Sequence, residues 1–139
     1  VLFRILEEIL GTTAALWLQS LLFAAMHLAN AEGSVGEQLT TLVSGTLIGA
    51  FWTALFVLSR NLWVVTAHHA AWNFAIILSG APLSGLGAWR EMALVEMRDR
   101  GPGWLSGGIF GPEDSILTIA LMVAGIAVVL REARRGLSD

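Results

Sequence analysis

Four long apolar runs constrain this chain more than any other feature: Ala14 to Ala29, Leu39 to Ser59, Leu62 to Ser79 and Ile116 to Leu130. About 17–25 apolar residues suffice to cross a bilayer as a helix. The last run is short, but Arg131 extends it by snorkelling its guanidinium to the interface. Composition agrees: 55% of residues are hydrophobic and 14% charged, against about 25% charged in soluble domains. The expected fold is all-α, a multi-pass transmembrane helix bundle with about four spanning helices. Its solvent is the lipid bilayer.

The remaining composition excludes whole classes of function. The net charge is −3, every basic residue is arginine, and no basic cluster suits nucleic acid. Cysteine is absent, which rules out disulfides and thiolate metal sites. Val1 to Leu10 is apolar apart from Arg4, Glu7 and Glu8, a pattern expected of an amphipathic interfacial helix with Arg4 near both carboxylates. Gly45 and Gly49 place small residues on one face of the second span, for close helix packing. Gly80 to Pro112 reads as a long loop whose stretch Trp89 to Met97 lies on the membrane surface. With no methionine or signal-peptide pattern at Val1, the chain reads as beginning inside a longer protein.

Arginine placement gives the orientation. If the spans alternate, Arg4, Arg60, Arg131, Arg134 and Arg135 share one side. The other side takes Arg90, Arg98 and Arg100, with the carboxylates Glu32, Glu37, Glu91, Glu96, Asp99, Glu113 and Asp114. The positive-inside rule then makes the Arg4 side and the C-terminus cytoplasmic, in a multi-pass cell-membrane protein.

Polar groups at bilayer depth are expensive, so the histidines inside the spans mark a functional site by default. On the first span Ser20, Phe23, His27 and Asn30 form one stripe; on the third, Thr66, His69 and Asn73 form another. Aligned polar residues face a bundle interior, and the expected site lies between the two helices. Two imidazoles can hold a metal or divide the roles of proton acceptor and donor. Asn73 can donate to a developing oxyanion or orient a water. A lone intramembrane histidine has a simpler account as an interhelix contact; matching stripes and the nearby asparagine favour a site. His68 points about 100° away from His69 and is expected to pack outside it. Glu7 and Glu8 are expected on a solvated face, and Asp114 or Ser115 to cap the last helix.

Phe23-Ala24-Ala25-Met26-His27, an FxxxH pattern, precedes His69-Ala70-Ala71-Trp72-Asn73, an HxxxN pattern, and then Gly107-Gly108-Ile109-Phe110-Gly111-Pro112-Glu113-Asp114-Ser115. In that order they resemble the CPBP intramembrane proteases, the CAAX-protease and bacteriocin-processing (Abi) group. Leu2 to Gly11 is also similar to the stretch before the FxxxH helix in bacterial members.

The resemblance implies a membrane-embedded endopeptidase, acting on a peptide or protein with a membrane-proximal cleavage site, such as a C-terminal CAAX-like sequence or a small peptide. In that family a glutamate of an upstream EExxxR motif and the FxxxH histidine activate water. The HxxxN residues bind the tetrahedral intermediate or contribute to a metal site. Carried over, His27 helps activate water or bind metal, and His69 with Asn73 stabilises the oxyanion or completes the metal site. A Zn²⁺ ion held by His27, His69 and an upstream carboxylate is compatible with this; the family leaves the metal requirement open.

No EExxxR occurs in these residues, because Glu7-Glu8 is not followed by an arginine at the required place. Either the glutamates immediately precede Val1, with Arg4 ending the motif, or they stand further upstream; the missing glycine after Arg4 favours the latter. Residues 1–139 are thus expected to be the C-terminal part of a single CPBP-type domain, with the general base outside them. Two rivals stand beside the protease: a non-catalytic membrane partner or immunity-type protein, and a b-type cytochrome ligated by His27 and His69.

Overall fold

A computed structural model describes residues 1–30, 33–95, 97 and 101–135, and among them finds helices and turns but no β-strand. Six α-helices follow in order: α1 (Leu2–Leu10), α2 (Thr12–His27), α3 (Val35–Ser59), α4 (Leu62–Ser79), α5 (Gly103–Ser106) and α6 (Ile116–Arg135). Four segments are long and apolar enough to cross a membrane: Thr12–Asn30, Val35–Ser59, Leu62–Ser79 and Ile116–Arg135. The chain is an all-α, multi-pass bundle. Of the residues used to assign orientation, Glu32, Glu96, Arg98, Asp99 and Arg100 lie outside the described set, as does part of the stretch Trp89 to Met97.

α3 is the hub, packing against α2, α4 and α6. Its glycines explain the tight seam with α2. A Cβ on Gly45 would stand 3.1 Å from the Ala24 Cβ, and one on Gly49 would stand 3.1 Å from the Ser20 Cα. Each mid-helix glycine costs about 1 kcal/mol relative to alanine, offset by dispersion between backbones brought this close. Ser20 at the seam satisfies its hydroxyl on the Leu16 carbonyl, 2.6 Å away, instead of crossing helices. On the other face of α3, Ala50 and Ala54 join Phe3, Leu16, Ile126 and Val129 in one core.

Helix ends refine the sequence reading. α3 starts at Val35, a turn before the expected Leu39, because Ser34 and Glu37 form a capping box: Glu37 N–H donates to Ser34 Oγ at 3.3 Å, and Ser34 N–H to the Glu37 carboxylate at 2.7 Å. α4 keeps the expected bounds, capped by Asn61 and stopped by a left-handed Gly80. α6 continues past Leu130 to Arg135. Ser115 is its cap, accepting from Thr118 N–H at 3.1 Å. Asp114 instead turns inward and is buried.

α1 is amphipathic as expected, with Phe3 buried edge-on to Phe56 at 5.6 Å. Its direct ion pair runs to another helix. Arg60, at the end of α3, donates to both Glu7 oxygens at 2.7 and 3.0 Å, whereas Arg4 acts on Glu7 only through its more distant charge. The turn that ends α3 thereby ties down α1.

Candidate functional site

His27 occupies the last turn of α2, and its Nδ1 lies 2.8 Å from the Phe23 carbonyl oxygen. A carbonyl only accepts, so Nδ1 carries the proton and Nε2 is left with a lone pair in the neutral ring. The FxxxH spacing therefore sets the tautomer, since a residue four positions earlier offers its carbonyl to the histidine one turn later.

His69 lies in the middle of α4, stacked on Trp52 of α3 with ring centroids 3.8 Å apart and planes at 25°. The Phe23 ring stands beside both histidines, 4.3 Å from His27 and 6.2 Å from His69, and meets Trp52 at 5.6 Å. Two aromatic rings thus form the wall on which the imidazoles rest. Asn73, one turn beyond His69, lines the same cavity as His27 and His69, a space of about 240 Å³ that Ser84 and Glu113 also line. Phe23, His27 and Asn30 of one sequence stripe and His69 and Asn73 of the other line this pocket, whereas Ser20 and Thr66 do not.

His68 stands outside the pocket. Its Nδ1 accepts a hydrogen bond from Trp52 Nε1 at 3.0 Å, so Trp52 is held by one histidine and stacked on the next. Glu7 and Glu8 lie on α1, at the opposite end of α2 from His27, with Glu7 paired to Arg60. Neither reaches the pocket.

The pocket residue that sequence reasoning missed is Glu113. Its place just ahead of α6 suggests a capping region, but Glu113 is only 4% exposed. One carboxylate oxygen accepts from Ser84 N–H at 2.8 Å and Ser84 Oγ at 2.7 Å; the other accepts from Trp72 Nε1 at 3.3 Å. The only available signal was the resemblance of the glycine-rich segment around it. Asp114, next along, accepts from Thr41 Oγ1 at 2.6 Å and from Ser44 Oγ. Burial pushes its carboxyl above the ordinary value, opposed by the two hydroxyls and reinforced by the Glu113 charge. Asp114 faces a second, larger cavity of about 590 Å³, which shares Asn30 and Phe110 with the histidine pocket.

Among the described residues no three His, Cys, Asp or Glu side chains come together, whereas catalytic zinc takes three protein ligands. His27 and His69 do not make a zinc site by themselves.

A family model described as Rce1-like, type II CAAX prenyl endopeptidase Rce1-like, matches residues 1–75, the part of the chain that contains His27, His69 and Asn73. No curated protein and no solved structure matches the chain.

Proposed function

Because the chain belongs to the Rce1-like type II CAAX prenyl endopeptidase family, we propose that its histidine pocket carries out peptide-bond hydrolysis within the membrane, on a peptide or protein whose scissile bond lies near the bilayer surface. The observation that carries this reading is the convergence of His27, His69 and Asn73 on one small cavity.

The chemistry follows from the tautomer. His27 Nε2 has the free lone pair and takes a proton from water as the water oxygen attacks the scissile carbonyl carbon. The carbonyl π electrons move to oxygen, and the resulting oxyanion is met by hydrogen-bond donors from His69 and Asn73. On collapse the C–N bond breaks and the proton held by His27 passes to the departing amine. In the family that the chain resembles, a glutamate assists the first proton transfer. Glu113 is engaged otherwise: Ser84 donates to it twice and Trp72 once, which fixes its carboxylate in place. A metal would need a further ligand beyond His27 and His69. The active side is the end bearing Asn30 and Asp114, with the C-terminus cytoplasmic.

The test is cleavage of a prenylated peptide with a C-terminal CAAX-type sequence by protein reconstituted in liposomes. His69→Ala and Asn73→Ala should each lower kcat by about 10²–10³-fold, the cost of removing an oxyanion donor. Equal cleavage by wild type and both variants would remove these residues from the mechanism. A specific observation favours a second reading, a non-catalytic membrane partner: no pocket carboxylate among the described residues is free of donors. Under that reading the wild type cleaves nothing.

A further inference from the structure

We propose that Glu113 is a positioning residue, whose carboxylate fixes the rotation of α4 about its axis and hence the direction in which His69 and Asn73 enter the pocket.

α4 needs such a device. Ile76 is its only buried residue, whereas α3 buries residues along most of its length. A helix held by so little packing can roll, and catalytic groups must stay within about 0.5 Å and 10–20° of their productive geometry. Trp72 follows His69 by three positions and immediately precedes Asn73. A hydrogen bond on its indole therefore sets the angle of both neighbours. That bond goes to Glu113 at 3.3 Å.

Glu113 is itself firmly held. It sits in the turn Pro112–Asp114 ahead of α6, where the preceding Gly111 adopts φ +109 and a Cβ would stand 2.0 Å from the Pro82 carbonyl oxygen. The segment leaving α4 thus lies directly on this turn. Gly85 N–H donates to the Phe110 carbonyl at 2.8 Å, and Ser84 donates twice to Glu113. One carboxylate therefore joins α4, the loop that follows it and the start of α6. An acceptor-only group suits the place: the amide of glutamine would turn an NH₂ toward either the indole N–H or the Ser84 donors.

The inference rests on the proposed hydrolysis for its consequence, but its test reads position without turnover. In the whole protein with labelled histidine, the His69 ring resonances report its stacking on Trp52. Glu113→Gln and Trp72→Phe should each shift those resonances while leaving those of His27 in place. In cleavage, each should lower kcat about 10- to 100-fold, as expected for slight misplacement, with KM changed less than about threefold. The double variant should be no worse than Glu113→Gln. An unmoved His69 signal in folded Glu113→Gln, or effects that multiply independently in the double variant, would overturn the proposal. If Glu113→Gln fails to fold, Trp72→Phe, which removes only the indole donor from the tether, must still move His69. If the wild type cleaves nothing, the hydrolysis reading fails and the ring signal alone decides the role of Glu113.

Discussion

The two adjacent histidines of α4 separate by the partners they find. His69 lies on Trp52 in the pocket, while His68 accepts the Trp52 indole N–H from outside it. His68→Ala should cost about 1 kcal/mol of stability through the unpaired indole and leave cleavage within about threefold of wild type. Parallel melting and rate measurements check this, and a loss as deep as that of His69→Ala would place His68 in the chemistry. The histidine and asparagine stripes were readable because helical spacing ties residues three and four apart to one face. Glu113 was not, because its partners Trp72 and Ser84 are distant in sequence. No periodicity marks a loop residue, and two adjacent acids before a helix suggest a cap before they suggest a buried tether.

At the level of elements, apolar length located all four spans, and the discrepancies have local causes. The first turn of α3 is polar, so hydropathy missed it, although Ser34 and Glu37 spell a capping box. The last turns of α6 are rich in arginine, yet helical backbone bonds do not require apolar side chains. The Gly45 and Gly49 seam was legible as spacing; its closeness was not, since that depends on Ala24 and Ser20 arriving opposite. Gly49→Leu should force α2 from α3 and destabilise the protein by about 1–3 kcal/mol or more. Because His27 rides on α2, cleavage should fall further than melting alone explains. A Gly49→Leu protein with unaltered melting and cleavage would show that the seam tolerates separation.

For the whole molecule, the pairing of Glu7 with Arg60 closes one end of the bundle. The Arg60 guanidinium holds the Glu7 carboxyl below its ordinary value, against partial burial and with help from Thr12. A lowered folded value means the contribution is complete above the usual carboxylate range, about 4.3. It is lost as pH falls through the lowered value. The pair is half open to solvent, so it is worth about 0.2–1 kcal/mol. Melting of detergent-solubilised protein should weaken on the acid side, and Glu7→Gln should flatten that part of the profile; an unchanged profile would show that Glu7 carries none of it. Raised by burial, Asp114 has the opposite sign: its contribution is complete below its unfolded value and lost as pH rises through the folded one.

The uneven burial of α3 and α4 has a thermal consequence. One histidine is carried by helices in backbone contact, and the other by a helix whose inner face buries a single residue. Heat should therefore disarm the protein in two stages, with α4 loosening while α2, α3 and α6 stay folded. Amide hydrogens of α4 should exchange with deuterium sooner than those of α3, and cleavage should fail below the temperature at which helicity is lost. Simultaneous loss of both signals would instead make the bundle a single cooperative unit, its least-packed helix as durable as its hub.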